Sequence, residues 1–370
     1  MVVFIRDNEC FEPRLNNYLN YLNKKNIEYR IIAWNRNGTA SKKDNISFFE
    51  KRAEYGTMYK NIPNKIMWMF FVFKELFKLK NKYDVIHACD IDAALPSFFA
   101  NIFLNKKLIF DVFDWMSVEA NNNIIYKIID KFQNYVYKKA DAIILCEEER
   151  KEQATATNKN IYILPNIPTY KQIDFFDTEI DINKFHQKYK LVISYVGVFD
   201  ECRGLENLLD TISQRNDILL NIAGFGTIEK TIKSYSEKFD NIVFYGRVDY
   251  EKGQSIIKNS DLMYAMYFLS NPVHKYAAPN KFYESLICEI PLITTKDTLV
   301  GNKVNNIGTG YVIDEELNSL KELLNNISTD SLINKKYNCR NAWKNIYSSY
   351  FETFMETKYL KMIIGDISND

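Results

Sequence analysis

Glycine is scarce in the first half of this chain. Of 12 glycines in 370 residues, only Gly38 and Gly56 precede Gly197. Neither GxGxxG nor a GxxxxGK run closed by Ser or Thr occurs, so a dinucleotide or P-loop reading has no motif behind it. Charge of one sign is lacking too. With 48 Lys and Arg against 47 Asp and Glu, the net charge of +1 excludes a global field for nucleic acid. The six cysteines, Cys10, Cys89, Cys146, Cys202, Cys288 and Cys339, form no CxxC pair, which argues against a zinc or redox motif. Most lie in apolar runs, as buried thiols of a reducing compartment do. No apolar run reaches the ~18 residues that span a bilayer. The opening MVVFIRD reads as a first strand, not a signal peptide. The expectation is a cytoplasmic protein that meets a membrane only at its surface.

What is present is an ordinary globular balance, 46% hydrophobic and 26% charged. Aromatics are high at 15%, and the abundance of Asn, Lys, Ile and Tyr points to an A/T-rich codon bias rather than an aromatic surface. The length suits two domains. Short apolar runs alternate with helical patterns throughout: VVFIR (2–6), EYRIIAW (28–34), DVIHA (84–88), KLIFDV (107–112), AIILC (142–146) and IYILP (161–165), then LVISYVG (191–197), ILLNIAG (218–224), NIVFYG (241–246), DLMYAMY (261–267), PLITT (291–295) and GYVID (310–314). Such runs are strands buried on both faces, and the alternation predicts α/β architecture with two doubly wound, Rossmann-like domains facing a cleft. The polar stretch 169–190 reads as a linker between domains at 1–168 and 191–349.

The later glycines carry a signal. Gly197, Gly224 and Gly246 each close a strand, where backbone approaches a ligand in open α/β sheets. Glycines also simply end strands. Arg203-Gly204 then opens a helix, a seat for phosphate. In APNKFYE (278–284), Pro279 suits a first helical turn and Asn280 a cap. Lys281 adds a point charge, and Glu284, one turn on, is placed to accept hydrogen bonds from two ribose hydroxyls. Phosphate at the helix tip and ribose on the carboxylate describe a nucleotide-diphosphate ligand.

Three stretches, RGLENLLDTI, FYGRVDYEKGQSIIKNSDL and APNKFYESLICEIPLIT, together resemble the carboxyl-terminal domain of family 4 glycosyltransferases with the GT-B fold. ILPNIP (163–168) is similar to the run that ends that family's first domain, and AWKNIYSSYFETF (342–354) to its closing helices. The resemblance implies that a helix at about 350–370 packs back on the first domain. It implies a metal-independent, retaining transferase of hexosyl or N-acetylhexosaminyl type, of the bacterial polysaccharide kind, with no cofactor beyond a UDP- or GDP-type donor. The acceptor implied is a glycan or a lipid-linked sugar. By position, Glu284 takes the ribose, Arg203 replaces the family's diphosphate lysine, and Asn280 and Lys281 lie near the phosphates. Arg247 and Val248, in the GRVDYE loop, border the base, and His274 stands in the loop before Asn280.

Departures are visible. Tyr276 occupies the place of the family's first paired glutamate, Val198 that of an arginine, and Phe113 that of a histidine in DVFD. Asp114 beside Phe113 is a candidate catalytic group, with helix capping as the rival role. Asp90, Asp92 and Asp111 are assigned to the acceptor side, although Asp111 and His87 also read as packed strand residues. Residues 65–80, KIMWMFFVFKELFKLK, read either as a core helix or as a basic aromatic helix in contact with a membrane. Two further functions compete: a GT-B sugar-nucleotide epimerase, and a non-catalytic relative that binds a nucleotide sugar or a partner enzyme.

Overall fold

A computed structural model describes residues 1–9, 13–38, 40, 44–53, 61–116, 124–168 and 182–365. Most of the expected linker, at 169–181, and Cys10 lie outside the described residues. The chain forms two compact units, Met1–Pro165 with Phe351–Asp370, and Asn166–Tyr350.

The first unit is built on strands β1 (Val2–Arg6), β2 (Tyr29–Trp34), β3 (Ile46–Phe49), β4 (Val85–Cys89), β5 (Lys107–Val112), β6 (Ala142–Leu145) and β7 (Ile161–Ile163). They pair in parallel in the order β3-β2-β1-β4-β5-β6-β7. Its helices are α1 (Pro13–Lys24), α2 (Ile62–Lys78), α3 (Ile91–Leu104) and α4 (Ile124–Lys139). Alternate strand residues divide the sheet into two faces. Val3, Ile5, Ile86, Leu108 and Phe110 pack with Trp68, Val72 and Leu76 of α2, Ala100 of α3 and Val136 of α4. Pro96 inside α3 has no N–H for the Asp92 carbonyl, and the indole of Trp68 fills that place at 2.8 Å, tying α2 to α3.

The other face holds a buried polar centre. Asp111 accepts from Arg14 Nη2 at 2.8 Å, from the Tyr18 hydroxyl at 3.0 Å and from His87 Nε2 at 3.2 Å. Burial pushes the Asp111 pKa up, but Arg14 and His87 outweigh it and hold it below the ordinary value. His87 is kept neutral chiefly by burial, so its Nδ1 accepts from the Tyr359 hydroxyl at 2.7 Å.

The second unit carries β8 (Leu191–Phe199), β9 (Ile218–Gly226), β10 (Ile242–Phe244), β11 (Leu262–Ala265), β12 (Leu292–Thr295) and β13 (Gly310–Ile313), parallel in the order β10-β9-β8-β11-β12-β13. Helices α5 (Ile182–Lys188), α6 (Leu205–Ile212), α7 (Glu229–Lys238), α8 (Tyr250–Lys258), α9 (Asn280–Cys288), α10 (Leu299–Ile307), α11 (Leu317–Asn326) and α12 (Thr329–Ala342) accompany them. Cores lie on both sheet faces: Ile193, Leu220 and Leu208 belong to one, Met263, Leu292 and Phe282 to the other.

The chain then returns. After α13 (Tyr350–Phe354) come a π-helical turn (Met355–Tyr359) and α14 (Leu360–Ile364), and from Phe351 on they belong to the first unit. Tyr359 meets His87 there, and Phe351 packs edge-on to Tyr18 and Tyr21. The division between units falls after Pro165, inside ILPNIP, rather than after Pro168: Leu164 accepts from Arg14 in the first unit, while Ile167 packs in the core of the second.

Candidate functional site

Each sheet reverses its strand order beside its first strand, and the carboxyl ends of the two strands that flank that point are where open α/β sheets bind ligands. In the second unit these strands are β8 and β11. Gly197 lies inside β8, which runs on to Phe199 rather than closing at the glycine, and the sequence-selected Arg203, His274, Lys281 and Glu284 come from the segments that leave the two strands.

Beyond Gly197 the chain makes a short turn, Glu201–Arg203, and enters α6 through Gly204 at φ +62°. A Cβ on Gly204 would press into Phe268 and within 2.8 Å of the Tyr264 hydroxyl, which donates to the Gly204 carbonyl. Gly204 is thus fixed by packing as well as by its backbone. Arg203 rests its guanidinium 4.5 Å from the Tyr267 ring.

The segment after β11 reaches α9 by a turn at Pro272–Tyr276. His274 is buried and its Nδ1 donates to the Phe268 carbonyl at 2.8 Å; burial, helped by Arg203, lowers its pKa. Helix α9 starts differently from expectation. Pro279, extended at ψ 143°, is the residue before the first helical turn, and Asn280 is the first helical residue, exposed and capping nothing. Proline lacks a side-chain acceptor, so the first N–H groups of α9 stay open to an anion. Asn166 of ILPNIP donates to the Ala278 carbonyl at 3.0 Å and steadies this approach.

Lys281 and Glu284 are brought together on α9. Burial, with Arg203 acting the same way and Glu284 opposing, brings the Lys281 pKa down to about 8. Lys281 Nζ lies 5.5 Å from the Tyr195 ring. Glu284 is buried, and burial raises its pKa against the pull of Lys281. Hydrogen bonds from Gln254 and Tyr250 orient its carboxylate. The thiol of Cys288 donates to Gln254 Oε1 at 3.6 Å, which turns the amide N–H groups toward Glu284. Two cations, a carboxylate and two helix starts without side-chain caps therefore converge at the switch point.

The other glycines do different work. Gly224 pairs with Gly197 across β8 and β9, and a Cβ on it would fall 1.8 Å from the Gly197 carbonyl oxygen. It serves close strand packing. Gly246 has no atom within 4 Å of its Cβ position. Arg247 is exposed, 4.4 Å from the Phe225 ring, and Val248 packs with Ala223 and Ile256. Tyr276 is half-buried.

In the first unit the switch point lies between β1 and β4. Asp90, at φ +63°, pairs with Arg6 and accepts from the backbone N–H of Phe113 at 2.8 Å and of Asp114 at 3.0 Å. Burial raises its pKa to about 7. Asp92 pairs with Lys65 at 2.6 Å. Asp114 is exposed and 3.4 Å from Arg150; the next described helix starts only at Ile124, so Asp114 does not cap it. Asp111 is fully buried with its oxygens committed to Arg14, Tyr18 and His87, so it is corrected from an acceptor contact to a structural group. Phe113 lies between Arg6 and Arg14, 4.7 and 5.1 Å from their guanidinium carbons.

Sequence reasoning missed Tyr195, Tyr267, Tyr250 and Gln254. The first two sit in strand-like apolar runs and look like core. Tyr250 and Gln254 are four apart on α8, a spacing that puts them on one face and offers the signal. Among the described residues, no group of three or more His, Cys, Asp or Glu side chains converges to hold a metal ion.

Residues 176–345 match the family model for glycosyl transferases group 1. An uncharacterized glycosyltransferase of Methanocaldococcus jannaschii is 24% identical over 219 residues, which is 55% of this chain and 55% of that protein, so the match spans about half of each. Sucrose-phosphate synthase from Thermosynechococcus elongatus superposes with a TM-score of 0.74 at 13% identity, over 98% of this chain and 99% of that one. HepE of Anabaena, in complex with UDP and glucose, gives 0.68 at 13% identity, over 96% and 98%. These likenesses establish a two-domain α/β fold of the GT-B kind, and the stretch that matches the group 1 model lies within the second unit.

Proposed function

We propose, taking the group 1 domain as premise, that the chain transfers a sugar from a nucleoside-diphosphate sugar to a glycan or lipid-linked acceptor. The observation that carries this is Glu284, held by Tyr250 and Gln254, one helical turn from Lys281 and near Arg203. Glu284 takes the ribose hydroxyls. Lys281, Arg203 and the open starts of α6 and α9 take the diphosphate. The complex of HepE with UDP and glucose favours a UDP-type donor.

The sugar C1–oxygen bond breaks toward the diphosphate while the acceptor oxygen bonds to C1 from the same side, retaining configuration. The acceptor proton passes to a leaving phosphate oxygen. Fixed cations and helix N–H groups stabilise the charge that develops there, the task a metal ion performs elsewhere. The sugar is of hexosyl or N-acetylhexosaminyl type. The setting is surface polysaccharide or glycolipid synthesis at the cytoplasmic side of a membrane, with peripheral contact through residues 65–80.

Phe113 favours a second reading. Packed between two arginines, it puts no proton-transfer group where the resemblance expects a histidine, as in a binding protein without turnover. Incubation with a panel of nucleotide sugars, reading free nucleotide released, separates the two. Slow hydrolysis of one donor supports the transferase. Tight UDP binding without turnover, even with acceptor extracts, overturns it in favour of the second.

A further inference from the structure

Among the described residues nineteen large hydrophobic side chains are exposed, and ten of them lie on α2, α3 and α4, which concentrates them far beyond scattered surface apolarity. These helices are neighbours on one face of the first sheet. On α2 the outward residues are Ile66, Met67 and Phe70; on α3 they are Phe99, Ile102 and Phe103. Helix α4 adds a stripe at helical spacing that includes Ile124, Ile128 and Phe132. Ring contacts join the three. Phe103 lies 6.5 Å from Phe73 of α2, and Phe99 lies 6.4 Å from Phe132 of α4. Phe70 and Phe103 are both 72% exposed, where an ordinary outer helix face is polar.

The charges on this layer are one-sided. Every exposed charged residue of the three helices is a lysine: Lys74, Lys78, Lys127, Lys131, Lys138 and Lys139. The acidic residues turn inward. Glu75 is buried beside Lys78, Asp92 pairs with Lys65, and Asp130 accepts from Asn134 and the Trp115 indole. A chain with net charge +1 has thus gathered cations, without exposed acids, around an apolar surface.

We propose that the outer face of α2, α3 and α4 docks on an anionic lipid bilayer. Phe70, Ile102 and Phe103 enter the headgroup–acyl boundary, and the lysines meet lipid phosphates. Charge complementarity favours this occupant: an anionic interface satisfies both the apolar stripe and the lysine border, whereas a second copy of the same face would set lysines against lysines. The surface extends the contact of residues 65–80 to two further helices. It rests on the proposed function only in supplying that enzyme with a lipid-linked acceptor.

The test is co-sedimentation of the full chain with phosphatidylcholine–phosphatidylglycerol vesicles and with phosphatidylcholine vesicles. The wild type pellets with the first far more than with the second. Phe70→Glu with Phe103→Glu lowers partition at least about tenfold, and Lys127→Glu with Lys131→Glu lowers it similarly and flattens its salt dependence. UDP affinity, read by calorimetry, stays at the wild-type value in both variants and shows that they fold. Wild type left in the supernatant, or variants that pellet like wild type, overturn the proposal. So does a wild-type dimer that Phe70→Glu with Phe103→Glu dissociates, since the face then joins two copies. Loss of UDP binding in the wild type sinks the proposed function and leaves the vesicle result standing.

Discussion

Lys281 Nζ stands 2.5 Å from the point where a Cβ on Gly197 would lie. The glycine at φ +153° is therefore the space into which the lysine reaches, and the strand end and helix start form one unit. Gly197→Ala forces the lysine aside and strains the backbone. The expected result is UDP affinity lowered at least about tenfold, at a stability cost of about 1–3 kcal/mol. Calorimetry and a urea melt read the two effects separately. Unchanged affinity would show that the lysine position does not matter to the ligand.

Glu284→Gln and Arg203→Ala each lower transfer with saturating donor by about 10²-fold. Glu284→Gln is also expected to weaken UDP but spare inorganic diphosphate, because the role proposed for the carboxylate is to hold the ribose. Arg203→Ala weakens both. An equal loss for the two ligands in Glu284→Gln would remove the ribose assignment.

The pH dependence of donor binding has a definite sign. In the proposed site Lys281 binds phosphate as an ammonium, and its pKa in the free protein is lowered to about 8. Affinity therefore falls as pH rises past about 8, approaching tenfold per unit. Bound phosphate raises the same pKa, so binding near pH 8 takes up a proton. Calorimetry in two buffers of different ionisation enthalpy detects that uptake, and Lys281→Arg abolishes it.

In the proposed mechanism Lys281, Arg203 and the helix starts neutralise the leaving group, so the expected result is that chelation by EDTA leaves transfer largely intact. A strict requirement for added divalent metal would refute this account.

Asp111→Asn acts on stability. It leaves Arg14 buried without its counter-charge, a loss of about 3–5 kcal/mol by urea unfolding. UDP affinity in the folded fraction is unchanged.

Strands were the most legible part of the chain, because a strand buried on both faces is a continuous apolar run. β3 was not read: it lies at the sheet edge, and only Phe49 of its four residues is buried. The end of the first unit was placed late, since ILPNIP has no composition change to show that Leu164 and Ile167 belong to different units. Local order along α9 revealed Lys281 and Glu284. It could not reveal Tyr250 and Gln254, some thirty residues earlier, whose link to Glu284 exists only through the packing of α8 beside α9. Asp111 had the opposite problem. A carboxylate in KLIFDV looks available until Arg14, ninety-seven positions away, is found against it.

The last helical segments have a consequence for synthesis. Phe351, Tyr359 and their neighbours complete the first unit, yet they leave the ribosome after the whole of the second. At ~5–20 residues per second, this delay is on the order of ten seconds or more. During it, His87 and Tyr18 lack the ring that closes over them. The unit that begins the chain is thus the one that finishes folding last, and a nascent chain stalled before Phe351 exposes an open core at its own amino terminus.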